Sequence, residues 1–118
     1  MIKKVFILGA SSDIGVETTK LFLNKGWEVV AHYHLNSKKL IKLSQDKKNK
    51  ISLIKINFQE LNKAEKIISK KKNLLKDVSS FISLVGYLKN DKKKKFNLDL
   101  ILDHIKVNFF SNLLLINA

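Results

Sequence analysis

The sequence predicts an α/β fold built on a parallel sheet, and three observations carry that prediction. Short apolar runs alternate with stretches whose apolar residues recur at helical spacing. The connections between these runs are short, as sequential strand–helix units require. The first run ends in a glycine-containing turn, GASSDIG at 9–15, at the place where the first helical pattern begins.

Taken in order, residues 2–8 read as a buried strand ending at Gly9. A helix is expected over 12–25, with Ile14, Thr18, Leu21 and Phe22 facing inward and Gly26 as its stop. Residues 27–33, WEVVAHY, form the second strand, and 37–46 a short lysine-rich helix that turns Leu40, Ile41 and Leu43 inward. The third strand is ISLIKI at 51–56, and the helix over 60–72 buries Leu61, Ala64, Ile67 and Ile68. A fourth strand at 78–85 ends at Gly86. After a polar loop containing four lysines at 92–95, a final helix begins near Leu98, with Leu98, Ile101, Leu102, Ile105 and Phe109 as its inner stripe. Right-handed crossovers then place helices on both faces of the sheet. The βαβαβαβα order is that of the first half of a Rossmann-type doubly wound parallel sheet, strand order 3-2-1-4. No repeat or Pro/Gly-rich linker divides the chain, so residues 1–118 are expected to form one domain.

Composition narrows the function classes. The 118 residues carry a formal charge of +13, which by itself points to a polyanion partner. All of the 23 basic residues are lysine, however, and nucleic-acid readers favour arginine for bidentate contacts. Abundant Asn and Ile and the absence of Pro fit drift in an AT-rich coding sequence, so a lysine-rich nucleic-acid binder is the less favoured alternative. There is no cysteine, and the three histidines have no zinc-like spacing, so no metal site is expected and a reducing cytoplasm fits best. The apolar stretch VNFFSNLLLINA at 107–118 falls short of the roughly 20 residues that a membrane span needs, and no membrane association is expected.

The turn has a physical task. In a doubly wound sheet, ligands bind beyond the C-terminal ends of the strands, and the first strand-to-helix turn meets a pyrophosphate at the helix N-terminus. Gly9 makes the tight turn, Ser11 and Ser12 offer hydroxyls, and Gly15 permits close packing of helix on strand. The position between a strand and a helix strengthens a motif that is weak alone.

GASSDIG resembles the Gly-x-x-x-Gly-x-Gly cofactor turn of the short-chain dehydrogenases/reductases, with Leu8 and Asp13 in place of the usual Thr and middle Gly. The resemblance runs the length of the chain. It implies that Gly9, Ser11, Ser12, Asp13, Ile14 and Gly15 contact a dinucleotide. Asn57, followed by Phe58, stands where the family has an acid beside the adenine. Gly86 matches the glycine that ends the family's Asn-Asn-Ala-Gly stretch, and Asn108 matches the asparagine of the fourth helix. Each also has a plain role: Asn57 and Gly86 can simply end strands, and Asn108 can be a helix-packing amide.

Cofactor choice is read after the second strand, where an acid selects NAD. No acid occurs between Glu28 and Asp46, and Asn36, Ser37, Lys38 and Lys39 follow the strand end, resembling the tract of NADP-preferring reductases. NADP is therefore expected ahead of NAD, although the lysines also suit a solvated helix start. The resemblance implies hydride transfer to or from a small carbonyl or alcohol substrate, with a Ser and a Tyr-x-x-x-Lys managing the proton and the fourth-helix Asn supporting a water relay. Of that set only Asn108 has a counterpart, because Tyr33 and Tyr87 are followed four residues on by Ser37 and Asp91. The chain therefore looks like a cofactor-binding first half, truncated before its catalytic groups and inactive alone. A non-catalytic dinucleotide-binding protein is the alternative. An unpaired sheet edge and an apolar last helix would favour a homo-oligomer through that helix.

Overall fold

A computed structural model describes residues 2–85 and 98–117. Four strands, β1 (Lys4–Leu8), β2 (Glu28–Tyr33), β3 (Ile51–Lys55) and β4 (Ser80–Ser83), form one sheet in the order β3-β2-β1-β4. All three pairings are parallel, with Phe6 beside Val30 on one side and beside Phe81 on the other. The alternation and strand order expected from the sequence are both present. β1 is buried at every residue, because the central strand of a sheet covered on both faces has no solvent side.

Helices α1 (Asp13–Asn24) and α2 (Lys38–Gln45) cover one face, where Val5, Ile7, Val29 and Ala31 meet Val16 and Leu40. On the other face Phe6, Leu8, Val30 and Ile54 meet Ala64 and Ile68 of α3 (Leu61–Lys70) and Leu115 of α6 (Ser111–Ile116). A short α4 (Lys72–Leu75) follows α3 after a break at Lys71, so the single helix expected over 60–72 is two pieces. Leu74 and Leu75 of that second piece pack on the core and close the approach to β4.

Two inward faces differ from the sequence reading, and in α2 Ile41, expected to face inward, is exposed beside buried Leu40. In α1 the buried residues are Gly15, Val16 and Thr19, while Ile14 and Leu21 are 69% and 56% exposed. Gly15 sets this rotation, since the helix approaches the Gly9–Ala10 backbone so closely that a Cβ there would overlap it. The stripe must run through Gly15 rather than one residue before it.

The final helical stretch is α5 (Leu98–Ile105), a π-helical turn (Lys106–Phe110) and α6 in succession. Its expected stripe of Leu98, Ile101, Leu102, Ile105 and Phe109 is exposed. Contact with the sheet comes instead from Val107, Leu114 and Leu115, downstream of α5. A π turn widens the spiral and rotates the next helical residues relative to an ideal 3.6-residue stripe. The apolar pattern of α5 therefore does not continue onto the core-facing side of α6.

Candidate functional site

Parallel strands bring the segments after β1, β2, β3 and β4 to one end of the sheet. The turn after β1 is shaped by Gly9, whose φ of +80° lies where a side chain is strained. A Cβ on Gly9 would also come within 2.9 Å of the Val85 nitrogen. The end of β4 thus presses against the turn, and the Leu84 N–H donates to the Leu8 carbonyl at 2.8 Å.

Ser12 caps α1. Its Oγ accepts from the Gly15 N–H at 3.0 Å and donates to the Gly9 carbonyl at 3.2 Å. This side-chain cap, worth about 1 kcal/mol, occupies the hydroxyl proton within the turn. Among the described residues no group accepts from the backbone N–H of Asp13 or Ile14, the first two residues of the helix. Unpaired donors at the positive end of a helix dipole are what an anion such as a pyrophosphate needs. The residues present therefore fit a dinucleotide.

Asp13 stands where its negative charge opposes that anion, and its side chain is 94% exposed. Lys39, from the start of α2, reaches across to it with Nζ 3.1 Å from Oδ1. The pairing of the two helix starts is a contact the sequence does not announce, since the residues are separated by 26 positions. It offsets the acid at the turn.

After β2, Asn36 is exposed and its Oδ1 accepts from the Lys38 N–H at 3.4 Å. Ser37 is half-buried, and Lys38 is exposed. After β3, the Asn57 Oδ1 accepts from the Gln59 N–H at 3.0 Å, which folds the side chain back on its own loop. Phe58 follows Asn57 with its side chain turned into the protein. It is 3% exposed in the core, with its ring 5.1 Å from that of His32, so only its backbone is available to a ligand. Ser11 is half-buried in the turn. Asn108 lies at the centre of the π-helical turn, exposed, with its carbonyl accepting from the Asn112 side-chain amide at 3.1 Å. Gly86, Tyr87 and the lysines at 92–95 lie outside the described residues.

His32, which the sequence reading passed over, is a buried polar group bonded to the turn. The Gly9 N–H donates to its Nδ1 at 3.0 Å, and its Nε2 is 2.9 Å from the Ile56 carbonyl oxygen. Burial lowers its pKa to about 4, against a raising contribution from the Ile56 hydrogen bond, and His34 lowers it further. Alternation along β2 was the available signal: His32 falls on the same inward side as Val30.

A family model described as short chain dehydrogenase matches residues 3–118. No curated protein matches the sequence. Among solved structures, a short-chain dehydrogenase/reductase from Serratia marcescens superposes with a TM-score of 0.81 at 16% identity, covering 98% of this chain and 48% of that one. A 4-hydroxyisoleucine dehydrogenase complexed with NADH gives a TM-score of 0.84 at 21% identity, covering 98% and 46%. ElxO with NADP bound gives 0.75 at 19% identity, covering 99% and 48%. The chain spans about half the length of the structures it matches.

Proposed function

The chain belongs to the short-chain dehydrogenase family, and from that premise we propose that it is the NADP-binding portion of an oxidoreductase acting on a small carbonyl or alcohol. One observation carries the reading: a glycine turn at the first strand–helix junction, where no group among the described residues accepts from the Asp13 and Ile14 N–H groups that open α1. When bound, the nicotinamide would supply the hydride chemistry. This chain's residues would bind and orient the cofactor. Ser11, Ser12, Asp13 and Ile14 would cradle the pyrophosphate by their backbone, with Gly9 and Gly15 allowing its approach. Asn57 and the Phe58 backbone would meet the adenine, and Gly86 the ribose.

NADP is favoured over NAD by the tract after β2, where Asn36, Ser37 and Lys38 replace an acid. Similar folds carry either cofactor, one with NADP and another with NADH, so this tract alone supports the choice. Asn108 would support a proton relay from its position in the π turn, a distortion that is frequent at functional sites. The exposed apolar residues of α5 would meet a second copy, and the cysteine-free composition keeps the cytoplasm as the proposed compartment.

Tyr33 and Tyr87 lack a lysine four residues on, so the 118-residue chain is expected to hold the cofactor without turning it over. Calorimetric titration with NADP and NAD, followed by an assay of NADPH oxidation against a panel of carbonyls, tests both parts. Tighter binding of NADP with no oxidation is the expected result. Binding of neither nucleotide overturns the cofactor reading, and oxidation by this chain overturns the claim that it is inactive alone.

A further inference from the structure

Within the sheet, β2 lies between β1 and β3, and the His32 ring at its end reaches both neighbours. Nδ1 takes the Gly9 N–H of the turn after β1, and Nε2 meets the Ile56 carbonyl just after β3. A backbone N–H can only donate and a carbonyl can only accept, so the ring is neutral with its proton on Nε2. The strand's main chain adds a third tie, because the Ala10 N–H donates to the His32 carbonyl at 2.8 Å. Phe58 packs beside the ring, which is 3% exposed. One imidazole therefore couples the glycine turn to the Asn57–Phe58 segment.

We propose that His32 is a positioning residue for the dinucleotide, its neutral ring fixing the separation between the glycine turn and the segment after β3. The inference rests on the proposed cofactor role, in which those two segments hold the pyrophosphate and the adenine. A ligand that spans both gains most when their spacing is set before it arrives, because the ordering cost is not charged against its binding. A fragment that touches one segment is insensitive to that spacing. An apolar ring at position 32 would leave the Gly9 N–H and the Ile56 carbonyl unpartnered and free to move apart.

The test compares the unmodified chain with His32→Phe and His32→Gln, at a temperature where urea titration shows each folded. Affinities are measured for intact NADP and for adenosine 2′-monophosphate, a fragment that carries the adenine and the 2′-phosphate but neither phosphate of the pyrophosphate. His32→Phe is expected to weaken NADP about tenfold and the fragment less than about threefold. His32→Gln should recover most of the loss, since a carboxamide can accept from one backbone group and donate to the other. Nitrogen-15 shifts of the ring in the unmodified chain should report an Nε2–H tautomer at neutral pH, a readout independent of any variant's folding. An Nδ1–H or charged ring overturns the proposal, as does equal weakening of NADP and fragment, or NADP binding that none of the variants alters. If the unmodified chain binds neither NADP nor the fragment, the cofactor reading fails and this inference fails with it; NADP binding without His32 dependence overturns this inference alone.

Discussion

At the scale of single residues, the turn depends on what cannot be added to it. Gly9→Ala introduces a Cβ 2.9 Å from the Val85 nitrogen at a φ of +80°. Urea titration should show a loss of about 1–3 kcal/mol, with nucleotide binding weakened in the variant that still folds. Asp13 and Lys39 are exposed, so their pair contributes little to stability. Its expected consequence is electrostatic, at the proposed anion site. Lys39→Ala uncovers the carboxylate and should weaken NADP binding severalfold, whereas Asp13→Gly should leave it equal or tighter, and calorimetry of both variants checks the pair. His32 makes stability depend on pH. Its unfolded ring takes a proton near pH 6.5 and its native ring only near 4, so the unfolded state binds more protons between those values. Stability is full above about pH 6.5 and falls as pH drops toward 4, by on the order of 3 kcal/mol. Urea midpoints across that range should flatten in His32→Phe.

At the scale of elements, the sequence pattern located the four strands and the starts of α1, α2, α3 and α5 to within a few residues, yet missed the break at Lys71 and the π turn, and misjudged the inward side of α1 and of the last helical stretch. α1 is oriented by close backbone approach at Gly15, a residue with no hydrophobic signal at all. The last helical stretch is oriented by its π turn and by the few residues that reach the sheet. Its two parts should therefore respond differently to substitution. Leu115→Ala, in the core, is expected to cost about 2–4 kcal/mol in urea titration. Ile101→Lys, on the exposed side of α5, should stay within about 0.5 kcal/mol while reducing self-association in sedimentation.

For the whole molecule, charge and shape give different messages. The net charge of +13 is carried by lysines distributed along the sequence, and Lys38, Lys47, Lys63 and Lys70 among them are exposed. The fold gathers the ends of four strands into one site. Among the described residues no group of His, Asp and Glu could hold a metal ion, and no helix is long and apolar enough to cross a membrane.

Much of the candidate site was legible because its residues are local to one turn: Gly9, Ser12 and Gly15 stand within seven positions, and their spacing carries the motif. Alternating periodicities were equally local, and with the handedness of parallel crossovers they predicted a parallel sheet covered on both faces. Contacts between distant positions were not legible. Lys39 meets Asp13, His32 bridges Gly9 and Ile56, and Phe58 turns into the core beside His32. Those outcomes depend on which side chains adjacent strands bring into contact and how closely the helices approach. A linear pattern records neither, and the packed sheet decides both.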